Sequence, residues 1–264
     1  MKVVKRYLVG SIVGALLACS TVSGASAQEL TMVGNKVATY IDEHGSPARQ
    51  MDIVRAALKG IDHSLVATTQ AWYGSGLRSG KYSGYIDHYS LNAKQDNYFY
   101  SKPYLTINLH LASKTSEVID IALLDQLGRA RVGIETRFAN TDQVRGERSV
   151  SWARSQIFYE NVRQLADRRV DFIMADKDMI EQFNKLLAVK GEQLIKTSNV
   201  PFYIVDVSIA ISKRVKGAES IIANFNAEID ALTKSGDIDR LLIGDKTRTS
   251  LLNPTVYKDI LSKW

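Results

Sequence analysis

Residues 92–114 read NAKQDNYFYSKPYLTINLHLASK, and this stretch decides the fold. A polar run leads into three aromatic residues and a Ser-x-Pro-Tyr turn, and a segment of alternating apolar and polar residues follows. Alternation with a period of two predicts a strand with one buried face. The apolar residues of that face are Leu105, Ile107, Leu109 and Leu111. Pro103 suits the entrance of the strand, where the missing N–H of proline is tolerated.

The first 27 residues have the pattern of a secretory signal peptide. A basic start (Lys2, Lys5 and Arg6) precedes an uncharged apolar run, and Ala25-Ser26-Ala27 is a small-x-small cleavage site. The alternative is a lipoprotein cut before Cys19, for which Leu17 is a poor match. Cleavage after Ala27 removes the only cysteine. Because export without disulfides is typical of a bacterial periplasm, we expect a periplasmic protein.

Composition excludes several classes of protein. An apolar fraction of 45% and a charged fraction of 23% over 264 residues are typical of a globular chain of one or two domains. The net charge is +6, and loss of the three basic residues of the signal peptide leaves +3. The lysines and arginines are also dispersed, so we expect no nucleic-acid partner. No later apolar run approaches the ~20 residues that cross a bilayer.

Strand and helix patterns alternate along the rest of the chain, which predicts an α/β protein with mainly parallel sheets. The predicted strands are 29–37, 63–72, 104–113, 130–135, 169–175 and 202–212. The predicted helices are 48–61, 150–167, 178–189, 218–236 and a last one after Asn253-Pro254.

Two long alternating strands, 104–113 and 202–212, bracket a middle block with its own strand–helix pattern. That block is large enough for an independent core. We therefore predict a first lobe of residues 28–110 and 209–264, and an inserted second lobe of residues 111–208. The two long strands would join the lobes as hinges.

Five segments stand in a fixed order: WYGSGLRSGKYSGYI (72–86), FYSKPYL (99–105), LDQLGRARVGIETRF (124–138), LADRRVDFIMADKDMIEQF (165–183) and the strand and helix at 208–242. In that order they resemble bacterial periplasmic solute-binding proteins of type 2, the family 3-like group that includes the polar amino-acid receptors of ABC importers. The resemblance implies a two-lobed, type II periplasmic binding protein fold, in which each lobe is a mainly parallel sheet flanked by helices. It also implies that the lobes close over a ligand.

The resemblance also assigns candidate ligand contacts. In the amino-acid receptors, the arginine of a Thr-x-x-Arg segment clamps the ligand carboxylate. Lys94 holds that position here, and Leu91 replaces the threonine. A lysine pairs with an anion as a point charge but lacks the bidentate fork of arginine. Lys94 either contacts an anionic group or is solvated on a loop.

Three further candidates follow strand ends. By resemblance, Asp176 holds the amino group of a ligand, although a helix N-cap is the alternative role. Thr136 and Arg137 occupy a turn that binds the ligand carboxylate in the resembling receptors, and the alternative for Arg137 is a surface position. Strand ends of this kind are where α/β proteins bind ligands.

Aromatic residues are the remaining candidates. The candidates for a wall of the cleft are Tyr40, Trp72, Tyr85 and Tyr89, since stacking on ligands is common in pockets. Of these, Tyr40 and Trp72 are favoured. The neighbours Asp87 and His88 are suited to acid–base work, but we expect them to be solvated on a loop. The histidines are scattered, so we expect no metal and no cofactor.

The sequence thus predicts a binding protein and not an enzyme. Its partners would be a small polar ligand, such as an amino acid or a related compound, and the permease of an ABC importer. The alternative is a sensor that reports ligand occupancy to a membrane signalling protein. An enzyme on the same fold is a third reading, but no pair of carboxylates has a recognisable catalytic spacing. We expect a monomer.

Overall fold

The computed structural model describes residues 29–35, 49–243 and 250–264. Within these residues ten strands form one mixed sheet. The strands are β1 (Leu30–Asn35), β2 (His63–Thr68), β3 (Gly84–Tyr89), β4 (Tyr98–Tyr100), β5 (Leu105–Ser113), β6 (Arg131–Glu135), β7 (Ser151–Ser155), β8 (Phe172–Asp176), β9 (Lys196–Thr197) and β10 (Tyr203–Ser212).

Helices cover the sheet. They are α1 (Arg49–Ala57), α2 (Gln70–Ser79), α3 (Thr136–Ala139), α4 (Asp142–Gly146), α5 (Phe158–Ala166), α6 (Lys177–Lys190), α7 (Ala218–Ser235), α8 (Asp237–Ile243) and α9 (Lys258–Leu261). Two 3-10 turns, Ser116–Asp120 and Leu124–Leu127, follow β5. In the described part of the chain, no helix has both the length and the apolarity needed to span a membrane.

The sheet has two parallel halves and an antiparallel centre. Its order is β2-β1-β3-β10-β5-β8-β6-β7. We call β2, β1 and β3 the first half-sheet, and β8, β6 and β7 the second half-sheet; the strands within each are parallel. The central strands β10 and β5 pair antiparallel with each other and with the half-sheet on either side. These are the two strands predicted as hinges, and in the strand order they lie between the two half-sheets.

Two predicted elements differ from the structure. The segment 150–167, predicted as one helix, is β7 followed by α5, because β7 pairs in parallel with β6 along its whole length. The predicted strand 63–72 ends at Thr68, and α2 starts at Gln70. Thr69 between them has an extended backbone. The helix α2 was not predicted.

The C-terminal segment packs on the second half of the molecule. Tyr257, Ile260 and Leu261 are buried in one apolar cluster with Phe158 of α5 and Phe183 of α6. The expected division instead placed 209–264 with the first lobe. Helix α7 does pack with α1 and α8. The chain therefore returns to the second half-sheet after α8.

Gly84 allows β3 and β10 to pair closely. A Cβ atom on Gly84 would overlap the carbonyl oxygen of Ala210 and lie 3.0 Å from the Cα atom of Ile211, both in the backbone of β10. We expect Gly84→Ala to lower the free energy of unfolding by about 1–3 kcal/mol or more, because a backbone cannot yield as a side chain can. Urea denaturation measures the effect. Gly74→Ala is the matched control, since its Cβ lies 3.5 Å from the end of the Arg78 side chain. Equal stability of the two variants would contradict the prediction.

Candidate functional site

A cavity of about 110 Å³ lies between the two half-sheets, at the carboxyl ends of their parallel strands. The first half contributes Asn35, Tyr73, Asp87 and Tyr89, and the second half contributes Arg137, Asn140 and Thr141. Asn35 ends β1, whereas Arg137 lies in α3 directly after β6. Crevices at the carboxyl ends of parallel strands are the usual ligand sites of α/β proteins. The geometry therefore places a polar cleft where two moving lobes would meet.

Asp87 is the buried carboxylate of this cleft. It lies on β3 and is 7% exposed. Its side chain accepts hydrogen bonds from the Asn35 backbone N–H at 3.0 Å and from the Tyr73 hydroxyl at 2.9 Å. Burial raises the pKa of Asp87, while these two hydrogen bonds and the charge of Arg137 oppose the rise. The expectation that Asp87 is solvated on a loop was wrong.

His88 does not act with Asp87. Successive residues of a strand point to opposite faces of the sheet. The His88 ring packs 4.6 Å from the centroid of the Tyr100 ring. Burial, and then the charge of Lys94, lowers the pKa of His88 to about 4. His88 is therefore neutral at physiological pH and belongs to the aromatic packing behind the cleft.

Arg137 forms a buried ion pair with Glu135. Its Nε atom lies 3.1 Å from Oε2 of Glu135, and its Nη2 atom lies 3.2 Å from Oε1. Both side chains are almost fully buried. These two nitrogens form the edge of the guanidinium that matches a carboxylate. Arg137 thus lines the cavity and is buried, so the alternative of a surface arginine was wrong. Its carboxylate-binding edge is occupied by Glu135, and its predicted contact with a ligand stays a prediction.

Thr136, Tyr85 and Tyr89 support the cleft in different ways. The Thr136 hydroxyl donates to the Ser155 carbonyl at 2.8 Å and does not line the cavity. Tyr85 packs behind the cleft, with its ring centroid 5.7 Å from that of Tyr73. Tyr89 lines the cavity, and burial raises its pKa to about 12 against the opposing charge of Arg137. Tyr85 and Tyr89 were both candidates for the wall of the cleft, and of the two it is Tyr89 that lines the cavity.

Lys94 and Trp72 lie outside the cavity. Lys94 is exposed, and its Nζ atom lies 5.3 Å from the centroid of the Tyr100 ring. Trp72 is 71% exposed on α2, beside a shallow surface recess. Tyr40, the other predicted aromatic wall, falls outside the described residues. The structure thus brings Arg137 into the cleft but neither Lys94 nor Trp72.

Asp176 has the structural role that was considered as its alternative. It is the N-cap of α6 and accepts a hydrogen bond from the Asp178 backbone N–H at 3.1 Å. Burial, and then the charge of Asp178, raises its pKa to about 8. It is not among the residues that line the cavity. In the described ranges, no group of three or more His, Cys, Asp or Glu residues could hold a metal ion.

Three hydrogen bonds join the loop after β3 directly to the start of α4. Ala93 N–H donates to Oδ2 of Asp142 at 3.1 Å, Asp142 N–H donates to Oδ1 of Asn92 at 3.2 Å, and Gln143 N–H donates to the Leu91 carbonyl at 3.2 Å. We call these residues (91–93, 142 and 143) the latch. This loop carries Lys94, the position that the resemblance assigned to a ligand clamp, and it binds the other half of the protein.

We expect Asp142→Ala to loosen the closed arrangement. It removes a charged acceptor, and a hydrogen bond to a charged group is worth about 1.5–3 kcal/mol. Small-angle X-ray scattering should show a larger radius of gyration, and hydrogen exchange at the Ala93 amide should accelerate about tenfold or more. Asp120→Ala, at an exposed position on the first 3-10 turn, is the control. Unchanged scattering and exchange would show that the latch does not hold the halves together.

Comparison with known proteins gives a fold but no named family. No family model matches the chain, and no curated protein matches it. Among solved structures, the GluR0 ligand-binding core from Nostoc punctiforme in complex with L-glutamate is similar, with a TM-score of 0.61, 15% identity, and coverage of 81% of this chain and 97% of that chain. A mutant of ArgBP from T. maritima has a TM-score of 0.61 and 16% identity, with coverage of 83% and 96%.

A third similar structure is the amino acid ABC transporter substrate-binding protein AbpA from Streptococcus pneumoniae, bound to L-arginine. Its TM-score is 0.56 at 15% identity, with coverage of 89% of this chain and 95% of that chain. At such identities the shared feature is the backbone architecture. The chain therefore has the α/β, two-lobed type II fold of periplasmic binding proteins, as the order of its sequence motifs predicted.

Proposed function

We propose that this chain is a periplasmic solute-binding protein that captures a small polar ligand between its lobes and delivers it to the permease of an ABC importer. The observation that carries the proposal is the polar cavity, to which both half-sheets contribute side chains. The similarity to amino acid ABC transporter substrate-binding proteins supports it. Cleavage after Ala27 would release a soluble monomer, with no cofactor and no catalytic role.

The mechanism is closure about β5 and β10. A ligand that contacts Asp87 on one side and Asn140 or Thr141 on the other stabilises the closed form by its differential affinity. The lobes would follow the predicted division at residues 110 and 208, except that the segment 250–264 would move with the second lobe. The permease would then recognise the closed form.

The cavity volume bounds the size of the ligand. A volume of about 110 Å³ holds about four water molecules, at roughly 30 Å³ each. Drug-sized ligands occupy roughly 300–1,000 Å³. The closed cleft therefore suits a ligand of a few non-hydrogen atoms, such as a small amino acid or a related compound.

A thermal-shift screen tests the proposal. The mature chain would be heated with amino acids, polyamines, organic acids and short peptides. A ligand at a hundred times its dissociation constant stabilises the folded state by about 2.7 kcal/mol, which is a readily measured shift in melting temperature. If no compound raises the melting temperature, and native mass spectrometry of the freshly purified protein finds no bound compound, the binding function is refuted.

A sensory role is the second candidate, and the latch favours it. The loop after β3, which carries the position that the resemblance assigned to the ligand clamp, already binds α4. At this position the cleft therefore differs from the one that the resemblance implies. The GluR0 ligand-binding core in complex with L-glutamate, which is not named as part of a transporter, is also among the similar structures. The neighbouring genes separate the two candidates: permease and ATPase genes support import, whereas a gene for a membrane signalling protein supports sensing.

A further inference from the structure

The charges around the cavity do not balance. Arg137, the cation among the residues of the cavity wall, shares two hydrogen bonds with the carboxylate of Glu135. The second carboxylate, Asp87, receives its hydrogen bonds from neutral groups, the Asn35 backbone N–H and the Tyr73 hydroxyl. Among the described residues of the site, the ionised forms of these two carboxylates and one guanidinium sum to one net negative charge, and the charge of Arg137 acts on both carboxylates.

The rest of the wall is neutral and rich in hydrogen-bonding groups. It consists of the side chains Asn35, Tyr89, Asn92, Asn140 and Thr141. A ligand carboxylate in this space would face the like charge of Asp87 and would compete with Glu135 for the fork of Arg137. A ligand ammonium would meet Asp87 as an opposite charge and would find acceptors in the amides and hydroxyls.

Depth strengthens the effect of this single charge. Asp87 is 7% exposed, and Glu135 and Arg137 are 1% and 6% exposed. Opposite charges attract more strongly at buried sites than in water, and burial of Asp87 is costly because the nearby guanidinium of Arg137 is hydrogen-bonded to Glu135. A cationic group brought in by a ligand would offset the cost of burying Asp87, whereas an anionic group would add to it.

We propose that the cleft selects a small ligand that carries a primary ammonium group, and that Asp87 of β3 anchors this group. The inference rests on the proposed binding function and names its ligand class. It differs from what the resemblance implies. By resemblance, Asp176 of the second lobe would hold the amino group of the ligand, and a cation at position 94 of the first lobe would clamp its carboxylate. The volume of the cavity fits a compound about the size of ethanolamine or glycine.

Four probes of matched size separate the charge classes. Ethanolamine carries an ammonium, glycine carries an ammonium and a carboxylate, ethylene glycol is neutral and glycolate is anionic. The corresponding longer set is aminobutanol, γ-aminobutyrate, butanediol and γ-hydroxybutyrate. Isothermal titration calorimetry on the mature chain should show binding of an ammonium-bearing probe in at least one set. The diol and the hydroxy acid of that set should bind about tenfold more weakly or not at all.

Asp87→Asn tests the anchor. Asparagine keeps an oxygen that accepts from the Asn35 N–H, so the fold should persist, as circular dichroism would check. Affinity for the ammonium-bearing probe should fall about tenfold or more, because a hydrogen bond to a charged group is lost. Asp120→Asn, at an exposed position, should bind as the parent chain does. Should Asp87→Asn fail to fold, the probe series on the parent chain decides alone.

The possible failures are distinguishable. If glycolate or a diol binds as well as the amines, or if Asp87→Asn keeps full affinity for them, the ammonium anchor is refuted. If these probes fail but a compound without an ammonium binds in the thermal-shift screen, the binding function stands and this inference falls. If nothing binds in either experiment, both fall.

Discussion

Glu135→Gln is expected to lower the free energy of unfolding by about 3–5 kcal/mol, the cost of removing one partner of a buried ion pair. Glu135 and Arg137 have side chains that are 1% and 2% exposed, and two hydrogen bonds join them. Glutamine has nearly the same shape, so the change removes charge and little volume. The guanidinium then stays buried and loses its carboxylate. Urea denaturation followed by circular dichroism measures the loss.

Glu117→Gln is the matched control, because Glu117 is exposed on the first 3-10 turn. Exposed substitutions of this kind change stability by about 0.5 kcal/mol or less. A loss at Glu135 no larger than the loss at Glu117 would contradict the prediction. It would also weaken the conclusion that Glu135 holds the fork of Arg137, on which the choice of an ammonium ligand depends.

The central strands could be predicted from the sequence because their pattern is physical and local. The alternating apolar residues Val205, Val207, Ile209 and Ile211 of β10 lie in the core, as do Ile107, Leu109 and Leu111 of β5, although the residues between them are also buried from 207 to 211 and from 109 to 113. A strand that is buried on one face has alternating apolar and polar residues, whichever strands it pairs with. By contrast, β7 reads SWARS and lies at the edge of the sheet, so its sequence lacks this signal.

The cleft was only partly predictable, because its residues meet through long-range pairing. Asn35 and Asp87 are 52 residues apart and touch because β1 and β3 are parallel neighbours. An aspartate in a sequence is usually solvated, so a buried one is not distinguished by its type. The available signal was an aspartate within a run of apolar and aromatic residues, Tyr85, Ile86 and Tyr89, in a buried strand. The resemblance located Arg137, but it could not show that Glu135 would bind it.

Asp176→Asn is expected to stabilise the protein at neutral and alkaline pH and to change little near pH 4. The folded-state pKa of Asp176 is about 8, above its ordinary value of 3.8, because burial disfavours the charged form. Between these values the folded protein keeps a proton that the unfolded chain has lost. The stability that the protonated Asp176 contributes is therefore fully present below about pH 3.8. It is lost between that pH and about pH 8, by up to about 1.4 kcal/mol for each pH unit.

Asparagine removes this dependence and keeps the helix cap, since it serves as an N-cap about as well as aspartate does. Its side-chain oxygen still accepts from the Asp178 N–H. The stability difference between variant and parent should therefore be small near pH 4 and should grow in favour of the variant up to about pH 8. Urea titrations across that range measure it, with Asp120→Asn as the exposed control. A difference that stays constant with pH would mean that Asp176 is ionised in the folded protein throughout, and that burial at the end of β8 does not hold its proton.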